Sequence, residues 1–237
     1  MSNSEVSQFP ARLDAYGRRR IIQVLSTLVL AVVIIFTAAG RLAFLWGWVY
    51  LGVSIVSLIF GAAYVLRHNP QAINERGRPA TTQKGWDKLL MRVYLFAFFS
   101  VYVVSGLDVR FGWSDVPFWL HLVGVIFTLA GAALTYGAMA HNKFLYMYVQ
   151  VTQERGHRVA TEGPYRLVRH PMYLSLVLSW PALALLLGCW WALIPACLAS
   201  FIIVIRTILE DRTLLKELPG YTDYAQQVRY RLFPCIW

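Results

Sequence analysis

Long uncharged runs alternate with short polar, basic stretches along most of this chain. Residues 21–40, 42–66 and 117–140 each supply the roughly 20 apolar positions a membrane-spanning helix requires. Residues 89–107 do the same with a single charge, Arg92, near the start. A longer run over 173–205 is broken by Gly188 and Cys189 and carries Pro181 and Pro195. This is the pattern of a tight helical hairpin whose first arm, about 15 residues, is short for a full span. The pattern predicts an all-α integral membrane protein of five to six transmembrane helices ending in a C-terminal helical hairpin. Only Val149, Gln150 and Val151 alternate as a strand does.

Composition agrees with this reading: 58% of the 237 residues are hydrophobic and 14% charged, against about 25% charged in a soluble domain. The net charge of +10 would suit a nucleic-acid binder, but its distribution points elsewhere. All the lysines and arginines except Arg41 and Arg110 fall in connections on one side of the successive spans, the asymmetry of the positive-inside rule. Both termini, the 67–88 loop and the 141–171 stretch are therefore expected in the cytoplasm. The first apolar run is too long for a secretory signal and reads as an anchor. Trp46, Trp48, Tyr50, Trp113, Trp119, Trp190 and Trp191 crowd span ends, where amphipathic rings settle at the interface. Cys189, Cys197 and Cys235 lack metal-ligand spacing and read as buried, inert thiols, so no metal is expected. His121, just inside the fourth span, reads as structural.

The candidate chemistry lies in residues 156–173, a polar, basic segment stiffened by Pro164 and Pro171 and set between apolar runs. Glu154, Arg155 and Gly156 are expected to turn the chain into it. Pro171 pushes His170 out of the helical region and suits the first turn of the helix that follows. The free N–H groups of that turn favour an anionic or strongly polar ligand group. About thirty residues on, Arg206, Glu210 and Asp211 stand where a helix would leave the membrane. Arg206 and Glu210, spaced i, i+4, share one face: a structural ion pair or half of a site. Ionisable groups at a bilayer edge are generally paired or functional. In the 67–88 loop, rich in proline and glycine turns, Glu75, Arg76 and Arg78 either touch a ligand or sit solvated near lipid headgroups.

Several motifs carry a resemblance: His157-x-Val159, Gly163-Pro164-Tyr165, Arg169-His170-Pro171-x-Tyr173, Arg206-x-x-x-Glu210-Asp211, Leu214, Gly220-Tyr221-x-x-Tyr224 and a closing Arg231-Leu-Phe-Pro234. Together they resemble the isoprenylcysteine carboxyl methyltransferases and the related phospholipid N-methyltransferases, integral membrane enzymes that use S-adenosylmethionine. The resemblance covers about the last hundred residues; the first 140 share only a transmembrane character. It implies that Gln150, His157, Arg158, Val159, Ala160, Tyr165, His170, Pro171, Met172 and Tyr173 surround the methyl donor, that Glu210 and Asp211 bind it as well, and that Arg206, with Arg169, serves the acceptor's reacting group. Two positions depart from the family pattern: Ser175 stands for a glycine, and Glu210-Asp211 for two glutamates.

The implied organisation is a cytoplasmic segment over 1–20, a four-helix membrane region over 21–140 and a methyltransferase core over 141–237 with a cytoplasmic cofactor pocket. Its partners would be the lipid bilayer and a lipophilic or small-molecule methyl acceptor, with no nucleic acid. Methyl transfer from a sulfonium is an in-line displacement in which alignment and desolvation supply most of the rate. Two other readings stand beside it: an NADPH-dependent membrane reductase of sterol-reductase-like architecture, and a non-catalytic transporter or assembly protein. Against the transporter, the first four spans nearly lack the intramembrane charges that line a transport path.

Overall fold

The computed structural model describes residues 12–79, 83–152 and 156–237. The first eleven residues of the expected N-terminal segment, and Glu154 and Arg155 of the expected turn, lie outside the described residues. The described chain is all-helical: α1 (Ala15–Ala39), α2 (Leu45–His68), α3 (Pro70–Gly77), α4 (Gly85–Phe111), α5 (Phe118–His141), α6 (Pro171–Leu187), α7 (Leu193–Glu217) and α8 (Tyr221–Gln227), with one 3-10 turn at Gly163–Arg166. Helices α1, α2, α4, α5 and α7 are long and apolar enough to cross a membrane. Large apolar side chains point outward from them, Phe60 being 71% and Phe96 73% exposed, as befits surfaces solvated by lipid.

The helices outrun the apolar runs that predict them, and the overhangs build the site. Asp14 caps α1, its Oδ1 accepting from the Gly17 N–H at 2.9 Å, so the helix begins before the basic cluster; Arg18 and Arg19 are exposed while Arg20 turns inward. Helix α4 starts at Gly85 and carries Asp87 in its first turn. Helix α7 continues to Glu217, so Arg206, Glu210 and Asp211 do not mark a helix exit. They sit within its second half.

At 17 residues, α6 is about 25 Å long, less than the ~30 Å hydrocarbon core. Pro171 opens it, and Gly188, at φ +76°, closes it in the left-handed turn that leads to α7. Its main partner is α5. A Cβ at Gly124 of α5 would lie 2.4 Å from the Leu186 nitrogen and 2.6 Å from the Ala182 oxygen, so the two backbones meet directly, as small residues permit inside membranes. Helices α1 and α4 pack together, as do α2 and α5, α4 and α7, and α6 and α7.

The bundle has two distinct ends. At one, Arg110 Nη2 reaches the Thr37 carbonyl at 2.8 Å, and the Trp190 N–H donates to Ser114 Oγ at 3.0 Å. At the other lie the start of α1, all of α3, the start of α4, the loop after α5, the end of α7 and the residues that follow it. The short α3, opened by Pro70, gives the 67–88 connection a packed helical piece against α1.

Two local expectations need correction. Val149–Val151 is not a strand: no neighbouring edge pairs with it, and the Val149 N–H donates instead to Asp87 Oδ2 at 3.1 Å. Of the cysteines, only Cys189 is buried; Cys197 and Cys235 are exposed, the first because α7 turns that face outward.

Candidate active site

At this second end, residues between α5 and α6 fold against the end of α7 and α8 to enclose a cavity. The lining begins at Asn142, Phe144 and Tyr146, continues through Gln150, His157, Arg158, Val159 and Ala160, and is completed by Tyr165, Arg169, His170, Pro171, Met172 and Tyr173 opposite Glu210, Tyr221 and Tyr224. Every residue expected to surround a donor lines this cavity except Asp211. His170 and Glu210, 40 positions apart in sequence, face one space.

The turn before α6 sets the geometry. His170, at φ −127° and ψ 64°, is the N-cap and Pro171 the first helical residue. The Arg169 and His170 N–H groups donate to the Tyr230 and Arg231 carbonyls at 2.9 and 3.0 Å, so a strap of chain from beyond α8 fixes the backbone there. The His170 ring stacks parallel on Tyr173, 5.7 Å between centroids, and the Tyr173 hydroxyl donates to Glu210. That bond aims the Glu210 carboxylate along the cavity wall.

Asp211 lies behind the wall, 0% exposed. Its Oδ1 takes Arg169 Nη1 at 3.1 Å, the Tyr221 hydroxyl at 2.8 Å and His170 Nε2 at 3.3 Å, and its Oδ2 takes Arg231 Nε at 2.8 Å. With both oxygens engaged inside protein, this carboxylate fixes other groups in place and does not reach the cavity. Arg169 Nη2 reaches the Arg229 carbonyl at 3.3 Å. Burial beside Asp211 pushes the Tyr221 phenol well above its ordinary pKa, so it remains a donor. Tyr224, also raised by burial, donates to the Tyr165 carbonyl at 2.8 Å and closes the wall.

Arg206, 4% exposed, does not pair with Glu210 on its own helix. Its Nε meets Asp87 Oδ1 at 2.8 Å and its Nη2 donates to the Met147 carbonyl at 2.7 Å, while the guanidinium lies over the Tyr173 ring at 5.4 Å. Asp87, itself 0% exposed, thus ties α4, α7 and the chain at Val149 together. Sequence reasoning missed it: a carboxylate in the first turn of an apolar helix reads as helix-dipole complement, and nothing local announces a partner 119 residues away.

The cavity's chemistry fits a nucleoside bearing a cation. Phe144 and Tyr146 flank His157, with centroids 4.9 and 5.8 Å from its ring, and the Tyr146 hydroxyl is tied to Thr152 Oγ1 at 2.6 Å. Desolvation pushes the His157 pKa down to about 4, so the imidazole is neutral near pH 7. Its Nδ1 is buried and has no protein partner among the described residues, a polar atom waiting for a ligand group. The free N–H groups at the start of α6 favour an anionic group, and Glu210 favours a positive one. The enclosed volume, about 70 Å³, is below the roughly 300 Å³ of a small ligand pocket. A second space of about 360 Å³ adjoins it, sharing His157, Arg158, Val159 and Tyr224 as lining.

Residues 119–219 match the family model described as phospholipid methyltransferase, the family that also takes in isoprenylcysteine carboxyl methyltransferase-like membrane enzymes. The likeness spans residues 119–219, under half of the 237 residues. The match begins inside α5 and stops before the motifs from Gly220 to Pro234, so it contains α6, α7 and every lining residue named above except Tyr221 and Tyr224. No curated protein matches the chain. Methyltransferases of this family use S-adenosylmethionine.

Proposed function

We propose that this membrane protein is a methyltransferase that transfers a methyl group from S-adenosylmethionine to a carboxylate, thiol or amine of a lipophilic or small acceptor. One observation carries the reading: Gln150, His157 to Ala160, Tyr165, Arg169 to Tyr173 and Glu210 line the same cavity. The bound cofactor supplies a methyl group on a sulfonium, ready for in-line displacement. The protein's own residues then have four tasks. The rings of Phe144, Tyr146 and His157 offer flat faces to an aromatic base, and His157 Nδ1 a hydrogen-bonding position. The first-turn N–H groups of α6 hold a carboxylate. Glu210, oriented by Tyr173, places negative charge beside the sulfonium. Arg206 faces the acceptor's reacting group, while Arg169 and Asp211 are positioning residues that keep His170 and the strap in register. Alignment and desolvation within the cavity lower the barrier. The basic end of the bundle faces the cytosol by the positive-inside rule; the donor arrives from there and the acceptor from the bilayer.

Calorimetry on detergent-solubilised protein tests this. S-adenosylmethionine binds the wild type, and Glu210→Ala weakens it by at least about tenfold, or 1.4 kcal/mol; unchanged affinity removes Glu210 from the donor site. Binding of NADPH in place of S-adenosylmethionine overturns the reading as a whole. A labelled-methyl assay on total membrane extract, separated into lipid, protein and volatile fractions, then identifies the acceptor class.

A further inference from the structure

Asp211 braces the back of the donor cavity through four side chains, Arg169, His170, Tyr221 and Arg231, and water reaches one of them. The side chains of Arg169 and His170 are 7% and 5% exposed, that of Arg231 32%. An ion pair open to solvent is a weak one, yet Arg231 serves the turn before α6 twice. Its Nε meets Asp211 Oδ2 at 2.8 Å, and its carbonyl accepts the His170 N–H at 3.0 Å. Whatever fixes Arg231 therefore fixes the N-cap of α6 and the carboxylate behind it.

The chain beyond Arg231 returns to it. Leu232, 0% exposed, anchors the segment in the core. Phe233 to Ile236 then form a tight turn, the Ile236 N–H donating to the Phe233 carbonyl at 3.2 Å. Pro234 suits the second position of such a turn, and Cys235, at φ +64°, takes the third, where glycine is usual. A left-handed backbone at a residue other than glycine costs energy and persists where its surroundings fix it. Here the surroundings are the contacts of Trp237. Its main-chain oxygen accepts from the N–H groups of Arg231, Leu232 and Phe233 at 3.0, 3.0 and 3.2 Å. The Arg231 guanidinium carbon lies 5.2 Å from the centre of its indole ring, within the range of a cation–π contact, for which tryptophan is the best partner. The ring covers one face of a guanidinium whose edge is on Asp211, and so shields that ion pair from water.

We infer that Trp237 is a positioning residue for the donor site: its indole ring holds Arg231 against Asp211, and through Arg231 it holds the His170 turn that lines the cavity. The inference rests on the methyltransferase reading and adds to its site a residue that lies outside both the matched residues 119–219 and the closing Arg231–Pro234 motif. Trp237 does not line the cavity, so its effect passes through Arg231.

Two measurements on purified full-length protein in detergent test this: calorimetry with S-adenosylmethionine, and hydrogen exchange of single backbone amides read by mass spectrometry. Trp237→Ala is expected to weaken S-adenosylmethionine binding about fivefold and to lower the protection of the Arg169 and His170 amides, which donate to the strap, by about the same factor. The Gly188 and Cys189 amides, bonded at the other end of α6, keep their protection. Trp237→Phe retains a ring face and is expected to keep affinity and protection within about twofold of the wild type. In an Arg231→Gln background Trp237→Ala adds no further loss, because the two residues act as one unit. Undiminished affinity in Trp237→Ala overturns the inference, as do equal losses in Trp237→Ala and Trp237→Phe, and losses that add to those of Arg231→Gln. If Trp237→Ala loses protection at Gly188 and Cys189 as well, it has unfolded, and Trp237→Leu decides: a loss confined to Arg169 and His170 supports the inference, and full protection there sinks it. Failure of the wild type to bind S-adenosylmethionine removes the donor reading, and exchange at Arg169 and His170 still shows whether Trp237 holds the turn.

Discussion

The two ends of the bundle each hold a buried histidine, and the pair separates what burial means from what a site means. His121 and His170 are both 6% exposed. Each stacks on an aromatic ring, His121 on Trp46 at 3.9 Å and His170 on Tyr173 at 5.7 Å, both nearly parallel. The partners of the ring nitrogens differ. His121 Nδ1 meets the Leu186 carbonyl at 2.9 Å, one of the last carbonyls of α6, which no helical N–H can reach. His170 Nε2 faces Asp211 and Tyr221 at 3.3 Å, and its ring borders a cavity. A buried, stacked histidine is a satisfied packing element at one end and part of a convergent polar assembly at the other. An ionised partner and an adjoining space make the difference.

The sharpest way to break the comparison is to remove that ionised partner. Asp211→Ala strands the charges of Arg169 and Arg231, and unfolding in detergent is expected to show a loss of about 3–5 kcal/mol, the cost of breaking a buried ion pair from one side. A loss below about 1 kcal/mol, the range of an exposed pair, would show that solvent screens the cluster. The matched pair His121→Phe and His170→Phe comes next. Both keep a ring for stacking, and both lose a polar contact worth about 1–3 kcal/mol when its partner stays buried. S-adenosylmethionine affinity is expected to fall about tenfold in His170→Phe only, a step of 1.4 kcal/mol; equal effects would erase the distinction drawn between the two ends. The smallest effect is the acid response of His157. Its folded pKa, about 4, lies below the ordinary 6.5, so the unfolded chain takes up the proton first. Its contribution to stability is complete above pH ~6.5 and is lost as pH falls towards 4. The pH dependence of the thermal midpoint over this window is expected to be shallower in His157→Asn, and a parallel slope would show that other groups carry it.

The spans and the hairpin were legible because a bilayer demands uninterrupted apolar length. The turn that opens α6 was legible because Pro171 after His170 fixes a helix start that local rules describe. Contacts made across the bundle were not. Asp87 and Arg206 meet over 119 positions, and no periodicity relates them. The i, i+4 spacing of Arg206 and Glu210 suggested an ion pair, but each side chain turned to a better partner on another element. Arg76, in a loop whose charges read more readily as solvated near lipid headgroups, is brought inward because Gly77 lets α3 lie against α1: a Cβ there would fall 1.9 Å from the Tyr16 carbonyl oxygen. Arg20 follows Arg18 and Arg19 directly before the first apolar run, and only the inward turn of its helix face distinguishes it from them.

The strap that bonds Tyr230 and Arg231 to Arg169 and His170 bears on how the protein is made. Ribosomes deliver the chain from its N-terminus, so α1 to α6 emerge before residues 229–231 do. Until then the backbone before α6 lacks two of its hydrogen-bond acceptors, and Asp211 lacks Arg231. A nascent polypeptide can thus have α6 in place while the turn before it still lacks the strap that holds it.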